Sequence, residues 1–388
     1  MPKTAHRVAT FGTTIFTEIN TLAQEHNAVN LGQGRPDFDG PQAAIEAAVA
    51  ALRSGKANQY APGPGTPELK TGVANHALRF YNMEIDPANG VLVTPGATEA
   101  VFCSIMGLVD PGDEVIVIEP FFDSYVPGII MAGATPVYVP LRPPDWVFDP
   151  DELRAAFTPR TRALILNTPH NPTGRVFTRG ELQTIADLCQ EYDVTVISDE
   201  VYEHLVFEGS QHIPIATLPG MFERTVAIGS AGKTFGMTGW KVGWAYGHPE
   251  LIAGVKRAQQ FVSFATNHPA QLAVAHAFTL DSTYYEEYQA LYTAKRDLMM
   301  QALDAAGLKA RQPEGTYFVM ADFSDVFDGD DVAFSKYLIQ EIGVACIPPT
   351  AFYSREHAHI VNKQVRFAFC KGDDTLRAAG ERMAKLRR

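Results

Sequence analysis

The sequence predicts an α/β protein with a large domain, built on a mostly parallel seven-stranded sheet covered by helices, and a smaller α+β domain. Three observations predict it. Short apolar runs alternate with helical segments from Val91 to about Tyr246. These runs are continuously apolar, which is typical of parallel strands buried on both faces. In the last part, Ala310–Arg388, two strand-like runs, Gly315–Phe323 and Val365–Phe369, mix with helices.

The composition is that of a soluble globular protein. Of the 388 residues, 46% are hydrophobic and 20% are charged, and the net charge is −12. An acidic chain without a basic run argues against a nucleic-acid partner. The four cysteines lack the spacing of a metal or disulfide framework, so we expect reduced thiols and no metal site. The beginning of the chain lacks the apolar core of a signal peptide, and no membrane span is predicted, so we expect a cytoplasmic protein.

The first 90 residues contain two predicted helices and two loops rich in turn formers. The helices cover Thr14–Gln24 and Pro41–Ser54, and a short strand, Val29–Leu31, precedes the loop Gly32–Pro41. That loop contains a GxG pair, but the third glycine of a dinucleotide-binding motif is missing. Tyr60 stands before a second loop rich in proline and glycine.

The central part supplies the seven strands, and polar motifs follow five of them. The clearest helix between them is Glu181–Gln190. Because ligands gather at the carboxyl ends of parallel strands, we expect the five motifs to meet at one edge of the sheet. The predicted strands are Val91–Val93, Val115–Ile118, Pro136–Val139, Ala163–Leu166, Val194–Ile197, Val226–Ile228 and Lys241–Tyr246; the motifs are TPGATE, EPFFDSY, NTPHNPTG, SDEVY and SAGK.

Helices then predominate from about Pro249 to Ala306 and include a long connector. We expect the large domain to span residues 45–285. The small domain would be formed by both ends of the chain, residues 1–44 and 286–388.

The stretch Ser230–Ala245 indicates a site for pyridoxal phosphate. A lysine at a strand end among apolar neighbours is partly desolvated, which lowers its pKa and suits it to bond an aldehyde. Lys233 has this position, with Ser230 and Lys241 beside it for a phosphate. A solvated glycine-rich loop is the alternative for this stretch.

Other motifs supply the remaining parts of such a site. Gly96, Ala97 and Thr98 open a helix whose amides could bind the phosphate, although an ordinary helix start is the alternative. Asp199 follows a strand and could keep the ring nitrogen protonated, or it could cap a helix. Tyr202 and Asn171 are candidates to donate to the ring hydroxyl oxygen. Phe122 could stack on the ring, or it could be an ordinary core residue.

Arg366 lies inside the apolar run VRFAF. A buried guanidinium should have an anionic partner, because burial of an unpaired charge is unfavourable. That partner could be the substrate carboxylate, which matches the planar fork of arginine, or a protein carboxylate in a structural salt bridge.

The motifs NTPHNPTG, SDEVYEHL and SAGKTFGMTGWKVGWA resemble those of the fold-type I, class I pyridoxal phosphate-dependent aminotransferases. LGQGRPDF, NQYAPGPG, EPFFDSY and LVRFAF extend the resemblance over nearly the whole chain, towards the group of kynurenine/glutamine transaminases, methionine aminotransferases and succinyl-diaminopimelate aminotransferases. The resemblance implies ping-pong transamination between an L-amino acid and a 2-oxo acid.

The same resemblance implies a role for each site residue. Lys233 would form the Schiff base and shuttle the proton, Asp199 would pair with the ring nitrogen, and Tyr202 and Asn171 would bind the ring hydroxyl. The implied phosphate-binding set is Gly96, Ala97, Thr98, Ser230 and Lys241, with Phe122 stacked on the ring. Arg366, Asn171 and Gly34 would hold the substrate carboxylate. Tyr60 would reach the phosphate of a neighbouring subunit, so the resemblance implies a homodimer with shared active sites.

Donor specificity is expected to depend on loops near Phe16, Arg35 and Phe264. Relatives commonly have phenylalanine where this chain has Arg35, so one hypothesis is that Arg35 favours acidic substrates. The alternative is that Arg35 faces solvent or pairs with Asp37 or Asp39. The expected donor is aromatic, sulfur-containing, glutamine- or kynurenine-like, or succinyl-diaminopimelate-like. A β-lyase acting on cysteine conjugates and, more remotely, a non-catalytic cofactor-binding regulator are the alternative functions.

Overall fold

A computed structural model describes residues 4–9 and 11–387 of the chain. The outermost residues of the predicted small domain, 1–3 and 388, therefore lie outside the described part. The helices are α1 (Ile15–Glu25), α2 (Gln42–Ser54), α3 (Pro67–Tyr81), α4 (Ala97–Leu108), α5 (Tyr125–Met131), α6 (Pro150–Ala155), α7 (Arg179–Glu191), α8 (Ala231–Thr234), α9 (Pro249–Val262), α10 (His268–Ala277), α11 (Ser282–Ala306), α12 (Asp331–Tyr337) and α13 (Asp373–Met383). The strands are β1 (Val29–Asn30), β2 (Val91–Thr94), β3 (Glu114–Glu119), β4 (Thr135–Pro140), β5 (Thr161–Asn167), β6 (Thr195–Asp199), β7 (Thr225–Ser230), β8 (Gly243–Gly247), β9 (Lys309–Ala310), β10 (Phe318–Asp322), β11 (Val344–Ala345) and β12 (Gln364–Ala368).

The large sheet has seven strands in the order β2-β8-β7-β6-β5-β3-β4. Only β8 runs against its neighbours, so the predicted mostly parallel α/β sheet is confirmed. All seven strands were predicted, with ends that differ by a few residues. The start of the last strand was wrong: Lys241 has a left-handed backbone (φ 55°), and pairing begins at Gly243.

Both faces of this sheet are buried. Successive residues of a strand point to opposite faces, and here they enter different apolar clusters. Val115 and Val117 pack in one cluster with α4 and α9, whereas Ile116 and Ile118 pack in another with α7. Helix α7 begins with a capping box in which the side chains and backbone amides of Thr178 and Glu181 pair reciprocally.

Two smaller sheets contain the remaining strands. β12, β10 and β9 form an antiparallel sheet, and β1 pairs in parallel with β11. The predicted strand Gly315–Phe323 is shorter, because Thr316 has a left-handed backbone (φ 64°) and pairing begins only at Phe318. Residues from both ends of the chain thus share one region, beside the carboxyl edge of the large sheet.

Gly229 in β7 allows a close contact between the backbone and Trp244 of β8. A Cβ at position 229 would lie 2.3 Å from the indole Nε1 of Trp244, which is itself buried. We expect Gly229→Ala to lower the free energy of unfolding by about 1–3 kcal/mol, since overpacking a core costs that much. Urea unfolding of the two proteins measures the difference.

Gly239→Ala is the matched control, because a Cβ there meets no heavy atom within 4 Å and the residue does not have a positive φ. This control should change the stability by less than about 0.5 kcal/mol. Equal effects of the two substitutions would show that the contact with Trp244 is not what constrains position 229.

Candidate active site

A cavity of about 300 Å³ lies at the carboxyl edge of the large sheet, where all five predicted loops converge. Residues from β10, β12 and the N-terminal loop close its other side. Of the residues predicted from the sequence, the cavity is lined by Phe16, Gly34, Gly96, Ala97, Thr98, Phe122, Asn171, Asp199, Tyr202, Ser230, Lys233, Lys241 and Arg366. Their individual roles remain predictions, but the fold brings them into one space.

Lys233 lies in α8, directly after the end of β7, and its amine is poorly hydrated. Burial lowers the pKa of this lysine from 10.5 to about 8, because the ammonium loses its water. The amine donates to the hydroxyl of Tyr317 at 2.6 Å and to the carbonyl of Gly34 at 3.4 Å. At neutral to mildly basic pH a fraction of Lys233 is therefore an uncharged nucleophile and base.

Asp199 ends β6, one strand away from Lys233. Desolvation raises the pKa of its buried carboxyl to about 6, although the Tyr125 hydroxyl, which donates to Oδ2 at 2.5 Å, opposes this shift. Its neighbour in the sheet register is Asn167, whose side-chain amide donates to the backbone carbonyl of Asp199. A buried carboxylate held in this way gains by pairing with a protonated ring nitrogen.

The start of α4 offers an anion-binding end to the cavity. Gly96 is the N-cap residue, with a positive φ (79°) and no side-chain cap, so the N–H groups of the first helical residues remain free to donate to a ligand. A Cβ at Gly243 would lie 2.5 Å from the amide nitrogen of Ala97, so only glycine lets β8 approach this turn. A Cβ at Gly96 would lie 3.3 Å from Lys241 Nζ, which places the amine beside the turn. Amides, an ammonium and the Ser230 hydroxyl fit a phosphate dianion.

Arg366 is fully buried on β12 and lines the same cavity. Its Nη1 donates to Asn171 Oδ1 at 3.0 Å and its Nη2 to the Gly32 carbonyl at 2.7 Å, while Nε has no partner within the described residues. No described carboxylate lies within 4 Å of the guanidinium, which excludes the structural salt bridge among these residues. Burial lowers the pKa of Arg366 to about 10.

Three aromatic rings surround this cation. The Cζ atom of Arg366 lies 4.1 Å from the centroid of Phe318, 5.2 Å from Phe352 and 5.3 Å from Phe16. The rings hold the guanidinium plane but do not neutralise it. A buried arginine without a carboxylate is a strong site for an anion from outside the chain.

Comparisons with known proteins agree with this geometry. Residues 26–381 match the family model for aminotransferase class I and II. The chain belongs to this family. The aminotransferase is 45% identical to a probable N-succinyldiaminopimelate aminotransferase of Mycobacterium tuberculosis, over 99% of this chain and 98% of the relative. It is 40% identical to a kynurenine–oxoglutarate transaminase of Dictyostelium discoideum, over 100% of this chain and 97% of that protein.

Solved structures give the same result. The N-succinyldiaminopimelate aminotransferase of M. tuberculosis superimposes with a TM-score of 0.95 at 46% identity, covering 99% of this chain and 100% of that one. A methionine aminotransferase of Escherichia coli also gives 0.95, at 39% identity and 99% coverage of both chains. The predictions of a fold-type I aminotransferase that uses pyridoxal phosphate are confirmed, and the β-lyase and regulator alternatives are not favoured.

Two predicted residues of the aminotransferase do not line the cavity. Arg35 is exposed, and it has no ion pair with Asp37 or Asp39 within 4 Å; Asp37 instead accepts hydrogen bonds from the Gly372 amide and Thr375. Tyr60 is 84% exposed at the edge of its loop and makes an edge-on contact with Phe264. Neither side chain lines the cavity.

The sequence interpretation missed three residues that contact the predicted set: Asn167, Tyr125 and Tyr317. Asn167 and Tyr125 belong to motifs that had been recognised, NTPHNPTG and EPFFDSY, in which other residues were selected. Tyr317 lay in a run interpreted only as a strand. Nothing in the local pattern shows that its hydroxyl reaches Lys233, which is 84 residues away.

A second buried polar cluster, His76, Glu203 and His204, lies outside the cavity. The two imidazole Nε2 atoms are 2.7 Å apart, which is a hydrogen-bond distance between neutral rings. Burial lowers the pKa of both histidines and raises that of Glu203 to about 8, while Tyr81 donates to the Glu203 carboxyl at 2.6 Å. These contacts give the cluster a structural role in packing α3 against the loop after β6.

The lowered pKa of Lys233 predicts a pH-dependent stability for the cofactor-free aminotransferase. The lysine pKa is 10.5 when unperturbed and about 8 in the fold, so the unfolded chain binds more protons between these values. Stability from this group therefore rises as the pH increases from 8 to 10.5. Relative to Lys233→Met, the wild type should gain about 3 kcal/mol of unfolding free energy over this range.

The measurement is urea unfolding of both cofactor-free proteins at several pH values. Other titrating groups are common to both, so their contributions cancel in the difference. A difference that stays constant with pH would mean that the amine is hydrated in the folded protein.

Proposed function

We propose that Lys233 is the catalytic base of this aminotransferase, that Asp199 pairs with the ring nitrogen of pyridoxal phosphate, and that Arg366 binds the α-carboxylate of the amino acid. The observation that carries the proposal is the buried Arg366, which has no carboxylate of the described residues within 4 Å and shares its cavity with a desolvated amine. An anion that enters beside this cation offsets the cost of burying its charge, and every amino acid and 2-oxo acid supplies one.

The remaining contacts support a placement of each part of the cofactor in the cavity. Amides at Ala97 and Thr98, the Ser230 hydroxyl and the Lys241 amine would hold the phosphate. Asn171 Oδ1 accepts from Arg366, which leaves its Nδ2 to donate to the ring hydroxyl, together with the phenol of Tyr202. Phe122 would cover one face of the ring. The residues present thus fit the cofactor from its phosphate to its ring nitrogen.

When bound, pyridoxal phosphate supplies a ring that accepts the electron pair left behind as the α-hydrogen leaves as a proton. Lys233 takes this proton, because its pKa near 8 leaves part of the amine uncharged at neutral pH. It then returns the proton on the cofactor side of the substrate. Arg366 and Gly34 keep the substrate oriented, and the walls of the cavity exclude water. Donor and acceptor use the same site in turn, so the kinetics are ping-pong.

The proposed donor is an L-amino acid with an uncharged side chain: aromatic, sulfur-containing, or like glutamine or kynurenine. Phe16, Phe122 and Phe318 supply apolar walls, and among the described residues Arg366, Lys233 and Lys241 are the only cations that line the cavity. The phosphate and α-carboxylate would occupy Lys241 and Arg366. No further cation of the described cavity remains for an acidic side chain, which makes a succinyl-diaminopimelate-like donor the less supported choice.

Arg366→Lys tests the carboxylate site. Loss of the planar fork should reduce kcat/KM for the amino donor about 10- to 100-fold, chiefly through KM, because charge-assisted bidentate bonds contribute about 1.5–3 kcal/mol. The assay follows the change in visible absorbance of the cofactor-loaded enzyme on addition of each donor. Pyruvate and ammonia are measured in parallel to detect lyase activity.

Arg175→Lys is the control, since Arg175 is also a buried arginine but pairs with Glu181 away from the cavity. It should leave KM for the donor unchanged. A wild-type KM in the Arg366→Lys enzyme would show that Arg366 does not bind the substrate carboxylate. Transamination by a Lys233→Ala enzyme would show that Lys233 is not the catalytic base.

We also propose a homodimer with shared active sites. Tyr60 is 84% exposed, and Phe261, Val262 and Phe264 expose 86%, 50% and 51% of their surface. Large apolar side chains clustered in this way are typical of a protein interface. In the proposed dimer Tyr60 reaches the phosphate end of the other subunit's cavity.

We further propose a cytoplasmic location, a large domain of residues 45–285, and a small domain of residues 1–44 and 286–388. Among the described residues, no helix is long and apolar enough to cross a membrane.

Mixing two inactive variants tests the shared site. Lys233→Ala and Tyr60→Ala should each lose most activity, but their mixed dimer contains one intact site, with Lys233 from one subunit and Tyr60 from the other. After unfolding and refolding together in equal amounts, about a quarter of wild-type activity should return, since half of the dimers are mixed and half of their sites are intact. If Tyr60 acts within its own subunit, or the protein is monomeric by light scattering, no activity returns.

A further inference from the structure

Tyr317 is buried beside the cavity and contacts the reactive amine directly. Its hydroxyl oxygen lies 2.6 Å from Lys233 Nζ and 2.7 Å from the carbonyl oxygen of Gly34. The side chain is fully buried, edge-on to Tyr202 and stacked with Tyr292. Neither the motif resemblance nor the site proposed above assigns this residue a role.

The hydrogen atoms of this group can be counted. Two oxygens 2.7 Å apart need a proton between them, and a carbonyl has none, so the Tyr317 proton points to Gly34. The hydroxyl oxygen can therefore only accept from Lys233. An uncharged amine has two N–H bonds, and Tyr317 and Gly34 accept both of them, at 2.6 and 3.4 Å. The lone pair of the amine then has no hydrogen-bond partner within the triad of Lys233, Tyr317 and the Gly34 carbonyl.

The backbone around this triad is built to hold it. A Cβ at Gly34 would lie 2.5 Å from the ring of Phe318 and 2.8 Å from that of Tyr317, so only glycine lets the carbonyl come this close. Thr316, the residue before Tyr317, has a left-handed backbone (φ 64°), which is rare for a β-branched residue. Its amide donates to the Leu205 carbonyl at 2.8 Å, which fixes the conformation.

We propose that Tyr317 is a positioning residue that holds the free amine of Lys233 by accepting one of its N–H bonds, so that the lone pair faces the substrate's α-hydrogen. The inference rests on the proposed function of Lys233 as the base. In that step the α-carbon–hydrogen bond breaks, a third N–H bond forms on Lys233, and the electron pair of the broken bond passes to the cofactor ring. Tyr317 keeps its own proton throughout, because Gly34 accepts it.

Tyr317→Phe removes the acceptor and keeps the ring. The half-reaction of cofactor-loaded enzyme with amino donor should slow about 10- to 100-fold, with KM changed less than about twofold. The isotope effect with α-deuterated donor should increase, because proton abstraction becomes more rate-limiting. In the cofactor-free protein the pKa of Lys233, measured from the pH dependence of its labelling by an amine reagent, should fall by about one unit, since the ammonium loses an acceptor.

The other groups that face the amine stay in place in this experiment: Asp199, Lys241, Arg366, Cys370 and Tyr202. Tyr292→Phe is the matched control. Tyr292 belongs to the same aromatic stack, but its buried hydroxyl has no hydrogen-bond partner among the described residues. Removal of that hydroxyl should change neither the isotope effect nor the pKa of Lys233.

If Tyr317→Phe and Tyr292→Phe give the same isotope effect and the same Lys233 pKa as wild type, the inference is overturned. Should Tyr317→Phe not fold, 3,5-difluorotyrosine placed at 317 weakens the acceptor without removing it, and a smaller fall in the Lys233 pKa is expected. An unchanged pKa in that protein would also overturn the inference. Failure of the proposed function has a different signature, because the wild-type enzyme would then show no half-reaction, whereas labelling of the cofactor-free protein still tests Tyr317.

Discussion

Desolvation of the Lys233 amine is the constraint on which the site depends. An ammonium in water has a pKa far above neutrality and no free lone pair. At the end of β7, burial lowers that pKa to about 8, even though Asp199 stabilises the charged form. The apolar sheet provides this burial; Gly229 lets the Trp244 side chain pack closely against β7, and Gly243 lets β8 approach the backbone at the start of α4. The chemistry of one side chain thus follows from the packing of the sheet beneath it.

The same cavity keeps opposite charges apart. Arg366 on β12 and Lys241 beside the start of α4 both attract anions, and the carboxylate of Asp199 lines the same cavity without an ion pair to either of them within 4 Å. If Arg366 paired with Asp199, neither would be available to a ligand. The sheet register fixes Asp199 beside Asn167, and Tyr125 binds its outer oxygen, so the carboxylate stays where it is. Separation of these groups by rigid strands is what leaves room for a ligand with two anionic ends.

The large sheet was predictable because each strand is a continuous apolar run with a polar motif after it. That pattern has one physical cause, burial on both faces, and it predicted that most of the candidate residues would lie at the carboxyl edge, where they line one cavity. Strand ends were less predictable: the left-handed backbones at Lys241 and Thr316 depend on contacts made elsewhere in the fold. Tyr317 was missed for the same reason, since a hydroxyl buried in an aromatic cluster has no local pattern. Arg366 could be selected, but only the structure shows that no described carboxylate pairs with it.

The contact between Arg366 and Gly32 joins residues 334 positions apart in the chain. During synthesis on a ribosome, the N-terminal loop therefore emerges long before the strand that completes its half of the cavity. A nascent chain therefore lacks this contact, and with it the proposed carboxylate site, until β12 has been added. With Arg366 in the proposed role, chains that end before β12 would have no activity, however well their central sheet is formed.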